Sequence, residues 1–160
     1  MVTEINLWTV KTRIKDILEN DTTLNAYFRN FQVGAPNENL PEQCPLPFMF
    51  ITNDEGLIME DEEWHVENDA PTTSKQTMHF MVAFMAKGKN GPKTEKELDD
   101  IGVTIKKVLK ENYHLKDPVA LNNPMAFRAY PGELRGLNQN MIGKEVQGRV
   151  LMLEVIQYTS

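Results

Sequence analysis

TSKQTMHFMVAFMA, residues Thr73 to Ala86, contains two interleaved sets of side chains. Phe80, Val82, Phe84 and Ala86 share one face of an extended chain, and His79, Met81, Ala83 and Met85 share the other. An exposed strand alternates apolar with polar, whereas this one is apolar on both faces, so the pattern predicts a central strand covered on each side. The rest of the fold is organised around it.

Upstream, Leu46–Thr52 (LPFMFIT) is a short run rich in aromatic and branched residues, bounded by proline and Asn-Asp, and it predicts a second buried strand. Between the two strands lies Asp54–Ala70, an acidic segment in which Trp64 and Val66 alternate with polar residues, as in an extended flap. Before them, Leu7, Val10, Ile14, Ile17 and Leu18 make a helical stripe over Thr3–Glu19. Asp21 can cap a short second helix carrying Leu24, Tyr27, Phe28 and Phe31, which Gly34 ends. A connector with Pro36, Pro41, Pro45 and Pro47 then leads to the sheet.

Downstream, KGKNGPK (Lys87–Lys93) reads as a turn, and Thr94 with Glu97 matches a capping box at the start of a long helix. Its stripe is Leu98, Ile101, Ile105, Val108 and Leu109, with acids early and Lys106, Lys107 and Lys110 late, as the helix dipole favours. A short strand is expected at Val119–Leu121. Asn122–Lys144 reads as a strand followed by a protruding loop, and Val146–Tyr158 as a closing strand interrupted by Gly148. These elements predict a single α+β domain over residues 1–160. In it a mostly antiparallel sheet packs against an N-terminal helix pair and one long central helix, with two protruding loops, 54–70 and 122–144.

Composition narrows the function. The 160 residues are 41% hydrophobic with net charge -6, no run of 18 apolar residues and no basic-then-apolar leader, which predicts a protein that neither spans a membrane nor is exported by a signal peptide. One cysteine, Cys44, fits a reducing compartment. No Lys or Arg occurs between Arg29 and Lys75, where ten carboxylates stand; the remainder, with all 17 basic and the other 13 acidic residues, carries +4. Such polarity steers copies head to tail and argues against a broad phosphate-binding surface.

Chemistry is sparse. Neither phosphate-loop glycine pattern occurs, so nucleotide hydrolysis is not expected. His65, His79, His114 and Cys44 stand too far apart for a short-spaced zinc motif. The setting Gln43-Cys44-Pro45 offers the thiol no flanking base, and His79 sits among apolar strand residues. Glu60-Asp61-Glu62-Glu63 lacks the alternating ligands and turn glycine of a calcium loop, and reads as solvated acid or an intersubunit ion-pair partner. No cofactor, metal or catalytic residue is expected.

The arrangement resembles the tail terminator or tail completion proteins of tailed bacteriophages. The likeness rests on the helix TRIKDILEND (Thr12–Asp21) with Leu24, Tyr27 and Phe28, the Gly34–Leu40 turn running to Pro45, and the acidic β-extension. The long helix TEKELDDIGVTIKKVLKEN (Thr94–Asn112), the motif Asn123-Pro124-Met125-Ala126-Phe127-Arg128 and the closing strand complete it. The resemblance implies a non-enzymatic virion protein of the tail or neck, assembled in the host cytoplasm. It would form a hexameric ring on the last ring of tail-tube subunits, meet the head-tail connector, and pass phage DNA through its lumen without sequence-specific binding. The two loops would reach neighbouring subunits or the tube. The interface candidates are Glu60, Asp61, Glu62, Glu63, Trp64, Lys87, Lys89, Phe127, Arg128 and Arg135. Another neck or connector protein is the nearest alternative, and a small enzyme or ligand-binding domain using Cys44, His79 or the acidic loop is the more distant one.

Overall fold

The computed structural model describes residues 6–36, 45–66, 70–88, 92–137 and 146–159. Cys44 and Lys89 therefore lie outside the described residues, as do the connector 37–44 and the segment 138–145.

Helix α1 (Leu7–Asn20) starts at Asn6, whose side chain accepts the Trp8 amide at 2.8 Å. Val10, Ile14, Ile17 and Leu18 are its buried stripe, as the spacing predicts. Asp21 leaves helical geometry (φ -73°, ψ 130°) and at once caps α2 (Thr22–Tyr27) by accepting the Leu24 amide at 3.0 Å. The second helix is shorter than expected, and Phe31 is not on it. Phe28 is already extended, the Arg29 amide donates to the Pro47 carbonyl, and Asn30–Val33 form strand β1, parallel to β2 (Phe48–Asn53). Gly34, at φ 87°, ends that strand in a conformation that L side chains rarely adopt.

Strand β3 (Met59–Val66) falls within the segment read as an acidic loop or flap, and it pairs antiparallel with the first half of β4 (Ala70–Lys87). The second half of β4 pairs with β2, and the loop 54–58 joins the two partners along one edge. On its other edge β4 pairs with β6 (Val146–Thr159), from Ser74 opposite Thr159 to Lys87 opposite Val146. Strand β5 (Arg128–Gly136) flanks β6, with a bulge between Pro131 and Leu134. The sheet order is β1-β2-β4-β6-β5, with β3 beside β4. Among the described strands only the β1–β2 pair is parallel, so this is the expected α+β fold on a mostly antiparallel sheet.

Helix α3 (Pro92–Glu111) begins two residues before the predicted capping box. Pro92, with φ preset for a first helical turn and no amide to satisfy, opens the helix and leaves Thr94 and Glu97 inside it. Its stripe Leu98, Ile101, Ile105, Val108 and Leu109 joins the α1 and α2 residues over Met49, Ile51, Phe80, Val82, Phe84, Leu151, Leu153 and Val155. Each fully buried Leu, Ile or Phe in such a cluster contributes about 1.5–3 kcal/mol relative to exposure. The opposite face of β4 builds the smaller cluster of Phe48, Phe50, Ala83, Met85, Val146 and Val150, against which Leu46 and Leu137 pack. The second half of β4 is thus buried on both faces, as its double apolar pattern requires. Gly148 does not interrupt β6; it is buried within the strand, where Leu137 and the Phe84 carbonyl approach closely.

Val119–Leu121 is not a strand. The Asp117 carboxylate accepts the amides of Val119 and Ala120, both at 2.9 Å, and the Leu121 amide donates to the Asp117 carbonyl, folding the stretch into a tight turn. Leu121 and Asn123 take positive φ. Arg13 on α1 donates to the carbonyls of Leu115 (2.9 Å) and Asn123 (2.8 Å), tying the turn to the helical layer. The Ala120 amide first, and the Val119 amide second, hold the Asp117 carboxyl below the usual carboxylate range. A carboxyl depressed in the folded state contributes fully above its unfolded pKa, and the contribution is lost as pH falls through the folded value. The protection of the Val119 and Ala120 amides, measured as exchange relative to the intrinsic rate at the same pH, is expected to fall in acid as Asp117 protonates, and to be low at every pH in an Asp117→Ala variant. Equal protection in that variant would show that the carboxylate does not hold the turn.

Candidate functional site

Strand β4 is long enough, at about 3.3 Å per residue, to run well past the part that the helices cover. Its first half, with β3 and the end of β6, makes an arm. Glu60, Asp61 and Glu62 are exposed on β3, and Glu63 and Trp64 lie further along the same strand, opposite Ser74 and Thr73. Asp61 accepts a hydrogen bond from the Ser74 hydroxyl, and Glu62 stands opposite Lys75 in the register. At the base of the arm, Leu57, Ile58 and Met59 are all exposed. Residues 59–66 of the predicted acidic flap therefore form an acidic strand that rises from an apolar foot.

The opposite edge of the sheet at the same level has the complementary composition. The register carries Glu60 on β3 to Thr77 on β4, Ile156 on β6 and Arg128 on β5. The neighbouring row runs through Met59, Met78, Val155 and Ala129. Arg128 is exposed, with its guanidinium 5.0 Å from the Tyr130 ring centre and 5.7 Å from that of Tyr113. Such cation–π contacts fix the charge in place without neutralising it. Tyr113 is positioned by the end of α3: its carbonyl accepts the Ala129 amide at 2.7 Å. Phe127, 55% exposed, stacks edge-on against Tyr158 at 5.0 Å.

Between these edges, on the face away from the helices, lies an open groove of about 310 Å³ whose lining includes Asp54, His79, Tyr130, Glu133, Arg135 and Glu154. His79, Glu154 and Tyr130 occupy one cross-strand row. The His79 ring nitrogen Nε2 is 3.4 Å from Glu60, and Arg135 pairs with Glu133 at its rim. His79 is thus half-buried at the foot of the arm rather than in the core. Its described lining offers the carboxylates of Asp54, Glu133 and Glu154, the His79 imidazole and the Tyr130 phenol, with no serine, threonine, cysteine or lysine among them. Among the described residues no three His, Cys, Asp or Glu side chains are placed to hold a metal ion, and no helix is long and apolar enough to cross a membrane.

The structure brings some predicted interface residues together and separates others. Glu60, Asp61 and Glu62 form one exposed acidic edge; Phe127 and Arg128 gather on the other, and Arg135 lies further along the same strand. Lys87 stands apart, exposed at the far end of β4 opposite Val146. Tyr113, Tyr130 and Leu57–Met59 are not among the sequence candidates. Aromatic residues flanking Arg128 in a segment poor in helical pattern are the available signal for Tyr130, whereas Tyr113, just past the end of α3, has no such signal. Neither the models of known protein families nor the curated proteins compared with this chain match it.

Proposed function

We propose that this chain is a non-enzymatic structural subunit of a tailed-phage virion, a tail terminator that forms a ring, of six copies by the resemblance. The ring caps the tail tube and joins it to the head-tail connector. The observation that carries this reading is the β3 arm: an exposed acidic strand on an apolar foot, projecting beyond the helical layer. Exposed apolar side chains beside charges of one sign suit a docking element better than they suit a solvated loop. In a ring whose lumen passes DNA, the net charge of -6 repels phosphates and limits retention. The alternative is another neck or connector protein, and the choice between them rests on which virion structure the protein binds.

The experiment is light scattering after size exclusion over a range of protein concentration and salt, with negative-stain images of the protein alone and mixed with purified tail tubes. Rings, or density capping tube ends, are the expected result. Screening between acidic and basic surfaces weakens assembly as salt rises through the range where the Debye length falls from about 10 Å to about 3 Å. A protein that stays monomeric at every concentration and leaves tube ends bare is not a tail terminator.

A further inference from the structure

Resting on the assembly reading above, we infer that the β3 edge of one copy docks against the β5 edge of the next. Leu57, Met59 and Glu60 of the first meet Tyr113, Arg128 and Tyr130 of the second. The occupant of each edge is a second copy of this chain.

Three observations carry the inference. First, the edges are complementary. One offers exposed aliphatic side chains and carboxylates, the other exposed aromatic rings and a guanidinium held between them. Arg128 makes no ion pair with a described residue of its own chain, while tyrosine and arginine are the side chains that most often dominate interface energetics.

Second, the edges are aligned. Glu60 and Arg128 end the same cross-strand row, and strict alternation through Thr77 and Ile156 puts both side chains on the sheet face away from the helices. Displacing a copy sideways by roughly the width of four strands, at about 4.8 Å per spacing, brings its Glu60 alongside the neighbour's Arg128. With the copies side by side in one continuous sheet, a two-fold axis would instead set acid against acid or base against base, so this edge-to-edge contact is heterologous, the kind that generates rings when its rotation closes.

Third, the β5 edge is closed to strand addition. The Ala129 amide already donates to Tyr113, and Pro131 has no amide to offer. The contact is made by side chains, so it depends on the individual residues named.

The test uses Glu60→Lys and Arg128→Glu, two exposed positions, in the full chain. Association is followed by light scattering and folding by circular dichroism. Each variant alone is expected to associate about tenfold or more weakly than the unaltered protein, the loss typical of an interface hot spot. An equimolar mixture of the two regains assembly, because when the two variants alternate every junction again sets one acid against one base. The double variant regains it for the same reason, with the two charges exchanged at each junction. A variant that had merely failed to fold would not be rescued by mixing. Assembly of either single variant at unaltered strength, or a mixture no better than its parts, overturns this contact while leaving the assembly reading in place. Unaltered protein that neither self-associates nor caps tube ends overturns both.

Discussion

Replacing Phe84 with alanine is expected to cost about 3–5 kcal/mol of folding stability, the usual range for emptying a buried phenylalanine site. The ring is fully buried in the second half of β4, edge-on to Phe28 at 6.2 Å, while Phe28 in turn meets Tyr27 at 4.9 Å and Phe31 at 5.6 Å. From above, α3 reaches it at Gly102, where an added Cβ would lie 3.3 Å from the phenyl tip. The site thus joins α2, β1, β4 and α3, and none of these can collapse inward without dragging the others. For a chain of this length each 1 kcal/mol moves the midpoint by about 2–4 °C, so a fall of about 10 °C is anticipated in thermal unfolding. A shift of a degree or two would mean that the helical layer relaxes into the cavity and is less tightly coupled to the sheet than its packing indicates. Combining the change with Phe28→Ala should give less than the sum of the two, because the edge-on pair is removed only once.

The second large effect comes from adding atoms. Gly148→Val is expected to destabilise by about 1–3 kcal/mol, as overpacking of a filled site does. A Cβ there would stand 3.1 Å from the Cβ of Leu137 and 3.3 Å from the carbonyl oxygen of Phe84. The second neighbour is backbone in the middle of the sheet and cannot step aside, and Leu137 is held because its amide donates to the Gly148 carbonyl at 3.1 Å. The strand preference of valine does not offset these contacts at a closed position. Urea unfolding reads the outcome: a lower midpoint at unchanged slope is expected, and a midpoint equal to or above that of the glycine protein refutes the argument.

How far the sequence reveals this molecule depends on whether a feature is local. Helices α1 and α3 and strands β2, β4 and β6 are written in periodicity, and each lies within a few residues of where that periodicity places it. Strand β1 is hidden because Leu24, Tyr27, Phe28 and Phe31 keep helical spacing; what breaks the helix is the Pro47 carbonyl, which takes the Arg29 amide, a partner eighteen residues away. Val119–Leu121 misleads in the other direction, since a short apolar run resembles a strand until the Asp117 carboxylate captures its amides. The acidic cluster is visible as composition, but its place on a paired strand is not. That Glu60 and Arg128, 68 positions apart, end one row depends on three inter-strand registers, none of which the sequence states locally.

The length of β4 also gives the molecule a mechanical character. One continuous strand belongs to both the helix-covered body and the acidic arm, and β6 accompanies it from Ser74 to Lys87. A pull along the arm loads the β4–β6 ladder in shear, so that many hydrogen bonds must fail together. A pull across it peels β3 away one pair at a time. The arm therefore behaves as a stiff beam rooted in the core with a softer outer rail. A load applied where β6 joins the arm, at Ser74, is delivered along the ladder to the packing around Met78 and Phe80.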